Sequence, residues 1–327
     1  MDDPRYRIRE FRPGDYEAEA RLSNRIGLSE PTTAEELRHW DASMTAPHLV
    51  HRKFVVEEVA SATIVASGGL QQVPFNYHPH KFWTSVQVDP DHRRRGIGQR
   101  LYELVEREAT ERSAIGVWAS ARSDDPAGLA FLARQGFVEQ RRIWVSRLEL
   151  AHANLSALPD RSATLAAEGI RFSTLAEEGE DRPEVRQRLH GLWDRTGQDI
   201  PIVGKHTPVP FEQFVRLELE SPYFLSDAVF LAIHGQEYVG MSTLDVPSAD
   251  PETLHVGFTG TIREFRGRGI ATELKRRAVE YARGRGYRYL RTGNDSLNAP
   301  IWAINERLGF RRERTWVNAE KTFPGKT

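Results

Sequence analysis

The sequence contains one short motif twice at a constant spacing, and this repeat limits the folds that the chain can adopt. Arg93-Arg94-Arg95-Gly96-Ile97-Gly98 is matched 173 residues later by Arg266-Gly267-Arg268-Gly269-Ile270-Ala271. Gln135-Gly136-Phe137 is matched at the same offset by Leu308-Gly309-Phe310. Two matches at one offset indicate two copies of one supersecondary block with no net insertion inside it. A chain of 327 residues is long enough for two such domains.

Around each motif the apolar pattern predicts the same order of elements. Alternation predicts strands, and three-and-four spacing of apolar residues predicts helices. The predicted elements of the first copy are strand 83–88, helix 98–112, strand 115–119 and helix 126–134. Those of the second copy are strand 255–262, helix 271–285, strand 287–292 and helix 298–307. Gly136 and Gly309 are the expected stops of the last helix in each copy.

Upstream of each copy lies a similar series of elements. In the first it is strand 6–11, helices 15–24 and 33–42, and strands 53–58 and 64–71. In the second it is strand 169–174, helices 184–196 and 210–219, and strands 228–233 and 238–245. The stretch 151–168 is rich in Ala and Ser and weakly periodic. We therefore predict an N-terminal domain at 1–150, a linker at 151–168 and a C-terminal domain at 169–327.

Composition excludes several classes of site and partner. The chain has no cysteine, which excludes disulfides, thiolate metal sites and a cysteine nucleophile, and we expect no metal site. The net charge of −1 favours neither a nucleic acid nor an anionic membrane as a partner. The charged first ten residues do not resemble a signal peptide, and no apolar run is long enough for a membrane helix. We expect a cytoplasmic protein, and leave its oligomeric state open.

The repeated motif has the chemistry of a diphosphate-binding turn. The motif reads Arg-x-x-Gly-x-Gly/Ala and lies between a predicted strand and the N-terminus of a predicted helix. At such an N-terminus backbone N–H groups are unpaired and the helix dipole is positive. Glycine lets the backbone approach an anion closely. The dinucleotide fingerprint Gly-x-Gly-x-x-Gly and the Walker Gly-Lys-Ser/Thr are both absent. A solvated basic turn is the alternative, which repetition at a fixed offset disfavours.

This motif resembles the coenzyme A motif of the GNAT superfamily of acyl-CoA-dependent N-acyltransferases. The stretch from Asn298 to Phe310 resembles that family's Asn-x-x-Ala-x-x-Leu-Tyr-x-x-x-Gly-Phe pattern. The resemblance covers the whole chain as two tandem units. It implies an α/β (α+β) fold in which each domain is a mixed, mostly antiparallel twisted sheet flanked by helices. It further implies acetyl-CoA as cofactor and direct acyl transfer from the thioester to an amine of a small molecule or peptide.

The resemblance also implies which residues hold acetyl-CoA. In the first unit, the turn would hold the diphosphate and strand 83–88 would lie beside the pantetheine and thioester. The cofactor-binding residues implied there are Val86, Val88, Arg93, Arg94, Arg95, Gly96, Ile97 and Gly98. In the second unit they are Thr259, Thr261, Arg266, Gly267, Arg268, Gly269, Ile270, Ala271 and Asn298.

The two copies depart from the family pattern at the residues that move protons. The family's proton-donating Tyr is replaced by Leu132 in the first unit and by Asn305 in the second, and neither is a general acid. His255 and Asp245 are candidate bases in the second unit. In the first unit the candidates are Tyr77, His78 and His80. Solvated or structural roles are the alternative for each.

Which unit is catalytic stays open from the sequence. The second is favoured, because Asn298 and Asn305 keep a polar face where the first unit has Asp125 and Leu132. The first unit has the better-formed turn and would bind coenzyme A without turnover. Two alternatives remain: a catalytic first unit, and a non-catalytic acyl-CoA-binding or scaffolding protein.

Overall fold

The computed structural model describes residues 3–27, 31–246 and 250–324. The chain forms two compact units. Unit 1 comprises Met1–Arg141 together with Val317–Thr327, and unit 2 comprises Arg142–Trp316. The domain limits predicted from the repeat, 1–150 and 169–327, stay a prediction about the duplicated segments. The structural units differ from those limits because residues 142–150 belong to unit 2 and Val317–Thr327 belong to unit 1.

Unit 1 is a mixed sheet with helices packed on it. Its elements are β1 (Tyr6–Glu10), α1 (Tyr16–Ile26), α2 (Ala34–Ser43), β2 (His51–Glu58), β3 (Thr63–Gln71), β4 (Lys81–Val88), α3 (Ile97–Glu111), β5 (Gly116–Arg122), α4 (Pro126–Arg134) and the start of β6 (Val138–Glu149). The strand order is β1-β2-β3-β4-β5, followed by residues 317–322. Only β4 and β5 pair in parallel among these first five strands, and the other neighbours are antiparallel.

Unit 2 repeats this arrangement. Its elements are the end of β6, α5 (Ser162–Ala167), β7 (Ile170–Thr174), α6 (Leu175–Glu178), α7 (Pro183–Gly197), α8 (Phe211–Phe214), β8 (Phe224–His234), β9 (Glu237–Asp245), β10 (Thr253–Thr261), α9 (Ile270–Gly284), β11 (Tyr289–Asp295), α10 (Ala299–Leu308) and the start of β12 (Arg311–Thr322). The strand order is β6-β11-β10-β9-β8-β7. Strands β10 and β11 are parallel, as β4 and β5 are in unit 1.

The predicted apolar faces form the cores. In unit 1, Leu101, Val105 and Ala109 of α3 are fully buried against β3 and β4. In unit 2, Leu274 and Ala278 of α9 are fully buried against β8 and β9. Helices with one apolar stripe are stabilised by this packing more than by their own propensity. The predicted fold class, a mixed and mostly antiparallel sheet flanked by helices, is confirmed.

Two predicted segments differ in detail from the structure. The helix predicted at 210–219 is α-helical only in α8, and Val215–Leu219 is a π-helix. A π-helical turn carries an extra residue, which no apolar spacing reveals. The predicted linker contains α5, whose Leu165 is fully buried. The helix is therefore packed as part of unit 2 and is not an extended linker. Most other element boundaries agree to within a few residues.

Candidate active site

The two repeated turns share an unusual backbone. Gly96 and Gly269 precede α3 and α9 with φ of 79° and 94°. Arg94 and Gly267, at equivalent positions, also have positive φ, 62° and 77°. Positive φ strains any residue with a Cβ, so Arg94 adopts this conformation at a cost, while glycine adopts it freely in unit 2. Both turns therefore present the first N–H groups of a 15-residue helix to an anion.

The first arginine of each motif donates a hydrogen bond to the strand that precedes the turn. Arg93 Nε donates to the carbonyl oxygen of Val88 at 3.1 Å, and Arg266 Nε donates to that of Thr261 at 2.9 Å. Arg266 also pairs with Asp199, as does Arg263. These two guanidinium groups lower the pKa of Asp199 to about 2. The side chain of Arg266 thus fixes the end of β10 beside the turn.

A cavity of about 790 Å³ lies in unit 2 beside this turn. Its walls come from all of β10 from Val256 to Thr261, from the turn and the first turns of α9, and from α10. The predicted cofactor-binding residues that line it are Thr259, Thr261, Arg266, Gly267, Gly269, Ile270, Ala271 and Asn298. Thr261 Oγ1 is buried there and has no hydrogen-bond partner among the described residues. An elongated ligand with an anionic end and hydrogen-bonding groups, such as acetyl-CoA, fits these walls.

Strand β10 contains a bulge in the wall of this cavity. On β9, Leu244 lies opposite Val256 and Ser242 lies opposite Thr259, so Gly257 and Phe258 together face Thr243. The amide of Phe258 donates to Thr243 Oγ1 at 3.0 Å instead of to a ladder carbonyl. A bulge removes backbone N–H groups from the ladder and often lies next to an active site. The sequence analysis missed this feature.

Asp245 and His255 come together immediately before the bulge. They are directly opposite each other in the β9–β10 pairing. The Asp245 carboxylate also lies against the bulge, since a Cβ on Gly257 would be 2.3 Å from Asp245 Oδ2. Burial raises the pKa of Asp245 to about 6. A carboxylate with this pKa is a suitable proton acceptor near neutral pH.

Glu218 is an acidic residue near this position that the sequence analysis did not single out. It lies in the π-helix Val215–Leu219. By surface area the residue is exposed, yet the protein around its carboxylate raises its pKa to about 7, first through desolvation and then through the charge of Asp245. Two acidic side chains close enough for the charge of Asp245 to act on Glu218 favour a cationic ligand there. Nothing in the sequence singled out Glu218, because glutamate is common on surface helices such as the one predicted at 210–219.

Asn305 lies behind the cavity wall. It has zero exposure, and its Nδ2 donates to Asn294 Oδ1 at 2.7 Å. Asn294 lines the cavity and Asn305 does not, so Asn305 is connected to the cavity by its hydrogen bond to Asn294. Asn305 Oδ1 has no hydrogen-bond partner among the described residues. Its predicted catalytic role stays a prediction, and the structure gives it contacts suited to positioning Asn294.

Unit 1 lacks the bulge in the corresponding strand. The β3–β4 pairing runs from Gln71–Trp83 to Ala66–Val88 without a register shift. Counted along the two ladders, Gln71 and Trp83 occupy the positions of Asp245 and His255. Trp83 packs on Trp118 with ring centroids 5.6 Å apart. Val86 and Val88, predicted to contact the cofactor, lie against Gly98, whose added Cβ would be 3.9 Å and 3.4 Å from them.

The described residues contain neither a membrane-spanning helix nor a metal-binding cluster. No helix in ranges 3–27, 31–246 and 250–324 is long and apolar enough to cross a membrane. The same ranges hold no cluster of three or more His, Asp or Glu side chains arranged to bind a metal ion. The predicted cytoplasmic location stays a prediction.

Comparisons with known proteins agree with this geometry. The profile of the Acetyltransferase (GNAT) family matches residues 16–137 and 200–310. A mycothiol acetyltransferase of Brachybacterium faecium is 27% identical over 225 residues, which are 68% of this chain and 63% of that protein. The alignment thus spans just under two thirds of that relative. The mycothiol acetyltransferase of Corynebacterium glutamicum strain ATCC 13032 is 28% identical over 242 residues, 73% and 75% of the two chains.

Solved structures share the fold over the whole chain. A tandem GNAT protein from the clavulanic acid biosynthesis pathway superimposes with a TM-score of 0.75 at 20% identity, covering 97% of this chain and 98% of that one. A GCN5-related N-acetyltransferase from Sphaerobacter thermophilus gives a TM-score of 0.68 at 22% identity, covering 98% and 97%. At these identities the likeness concerns the fold.

Proposed function

The chain belongs to the acetyltransferase (GNAT) family of acetyl-CoA-dependent N-acetyltransferases, and from that premise we propose that unit 2 acetylates a primary amine of a small molecule. The observation that carries the proposal is the β10 bulge with the Asp245 carboxylate against it. Unit 1 pairs the equivalent strand without a bulge and has Gln71 in place of Asp245. We assign unit 1 a cofactor-binding or structural role.

The residues of unit 2 divide the reaction between them. Acetyl-CoA supplies the acetyl thioester, and the N–H groups at residues 267–271 would hold its diphosphate, with Thr259, Thr261 and Asn298 along its pantetheine arm. Asp245 removes a proton from the acceptor ammonium, because only the neutral amine attacks. The backbone N–H group of Gly257 in the bulge would stabilise the developing negative oxygen, while that of Phe258 is held by Thr243 Oγ1. Cysteine is not needed, since transfer is direct.

The acceptor is a small molecule that carries a cationic amine. The carboxylates of Asp245 and Glu218 attract an ammonium group to the bulge, where it must react. Mycothiol acetyltransferases are relatives over most of the chain, so the amine on which they act is the first acceptor to test. A peptide amine is the second.

The test is release of the coenzyme A thiol from acetyl-CoA in the presence of a panel of amines. We expect thiol release with at least one small amine, together with an N-acetyl product identified by mass spectrometry. Tight acetyl-CoA binding without thiol release on any amine would support the non-catalytic binding protein instead. Titration of acetyl-CoA by calorimetry provides the binding measurement in the same samples.

Gly269→Val is expected to weaken acetyl-CoA binding to unit 2 and to abolish most thiol release. Gly269 has φ of 94°, so a β-branched residue there distorts the turn and displaces the N–H groups from the anion. Gly235→Val is the matched control, because Gly235 also has positive φ, 60°, in the β8–β9 turn away from the cleft. If Gly96→Val abolished thiol release and Gly269→Val did not, unit 1 would be catalytic.

A further inference from the structure

Lys275 is a buried cation in the wall of the unit 2 cavity. It lies on α9 one helical turn after Ala271, so both side chains are on one face of the helix. Both residues line the cavity, together with Ile301 and Ile304 of α10. Only 1% of Lys275 is exposed. Neither the sequence motif nor the family pattern assigns this residue a role.

No carboxylate among the described residues forms an ion pair with Lys275. Its one described charge interaction is with the ring of Phe310, whose centroid is 5.7 Å from Nζ. Burial alone lowers its pKa to about 7, with no charged neighbour contributing. An ammonium group without a counter-ion is costly in such a place. The cavity is therefore where a compensating negative charge would be bound.

The equivalent position in unit 1 shows what the fold requires there. Tyr102 occupies it, packed on Phe131 and Phe137 at centroid distances of 5.9 and 6.0 Å. The site thus accepts an aromatic ring with a hydroxyl group, and a buried cation is not needed for folding. Its presence only in the unit with the bulge and the carboxylates points to the chemistry of that unit.

We propose that Lys275 donates the proton that the departing coenzyme A sulfur takes up. This rests on the proposed function of unit 2. In that step the neutral acceptor nitrogen bonds to the acetyl carbon and loses its second proton to solvent, and the C–S bond breaks with its electron pair on sulfur. A proton passes from Lys275 Nζ to that sulfur, leaving a neutral amine that regains a proton from solvent. Asn305 and the threonine hydroxyls of the cavity are far weaker acids.

Lys275→Phe and Lys275→Tyr form a matched pair that differs by one hydroxyl group. Tyr can donate a proton and Phe cannot, while Tyr102 shows that a ring fits this position. We expect Lys275→Phe to lower kcat by about 100-fold, and Lys275→Tyr to recover about tenfold of that loss. Equal rates in the two variants would overturn the proposal, as would full activity in Lys275→Phe.

A pH profile and a binding measurement separate proton donation from a structural role. Donation requires the ammonium form and burial lowers the pKa of Lys275 to about 7, so the native kcat should fall as the pH rises through about 7, and Lys275→Phe should lose this fall. Acetyl-CoA affinity should change by less than about threefold in Lys275→Phe, since the thioester carries no charge. A native profile without this fall would refute Lys275 as donor. Absence of turnover in native protein would refute the acetyltransferase function itself.

Discussion

Asp245→Asn is expected to lower kcat about 1000-fold, within the range for loss of a general base. The carboxylate lies against Gly257 in the bulge, where the acceptor amine must lose its proton. Asn keeps the size and the hydrogen-bonding shape but cannot accept a proton. Acetyl-CoA affinity should stay within about threefold, because Asp245 is not one of the residues that line the cavity.

The pH profile provides a second readout of the same residue. Burial raises the pKa of Asp245 to about 6, and only the deprotonated form accepts a proton. The native rate should therefore rise with pH through about 6, and Asp245→Asn should lose this rise. Gln71→Ala in unit 1 is the matched control, since Gln71 occupies the equivalent ladder position. Retention of more than a tenth of the native rate in Asp245→Asn would exclude it as the base.

Gly257→Val is expected to reduce kcat by 100- to 1000-fold, which is roughly the effect of removing an oxyanion donor. A Cβ at this position would be 2.3 Å from Asp245 Oδ2 and 2.9 Å from Thr243 Oγ1. Either the carboxylate moves away or the hydroxyl that holds the Phe258 amide does. Both movements disturb the position where the carbonyl oxygen gains charge.

The control for Gly257→Val is a substitution in the unbulged strand. Ser85 of unit 1 is exposed and lies opposite Gly69, where unit 2 has the bulge opposite Thr243. Ser85→Ala should leave kcat and acetyl-CoA affinity at native values. Thermal unfolding of both variants checks that the fold is intact. Near-native kcat in a folded Gly257→Val protein would show that the bulge has no part in catalysis.

The sequence predicted the fold because its determinants are local and repeated. Gly96 and Gly269 mark a turn that few other residues permit, and the apolar stripe of α9 follows directly from its spacing. The cofactor half of the site follows from a short motif, since backbone amides at a helix N-terminus would do the binding there, whereas the sequence offered Asp245 and His255 only as candidates for the chemical half. Side-chain identity matters little in the cofactor half, so a short motif is sufficient.

The residues proposed to move protons depend on features that cannot be predicted from a single sequence. The bulge at Gly257 inserts one residue into β10, and only the strand pairing reveals it. Glu218 acquires its raised pKa from the protein around it and from Asp245. Lys275 did leave a signal, because a charge interrupts the apolar stripe between Leu274 and Ala278. The repeat offset aligns Lys275 with Tyr102, and comparing the two copies at this position would have singled out Lys275.

The end of β12 has a consequence for how the protein is made. Residues 317–322 complete the sheet of unit 1, next to β5, and Phe323 donates its amide to the carbonyl oxygen of Ile115 at 2.8 Å. On the ribosome these residues emerge after all of unit 2, so the first unit to be synthesised is the last to be completed. A fragment that stops at residue 150 exposes β5 as an open sheet edge, which favours aggregation. Adding a peptide of residues 311–324 to that fragment should restore its solubility.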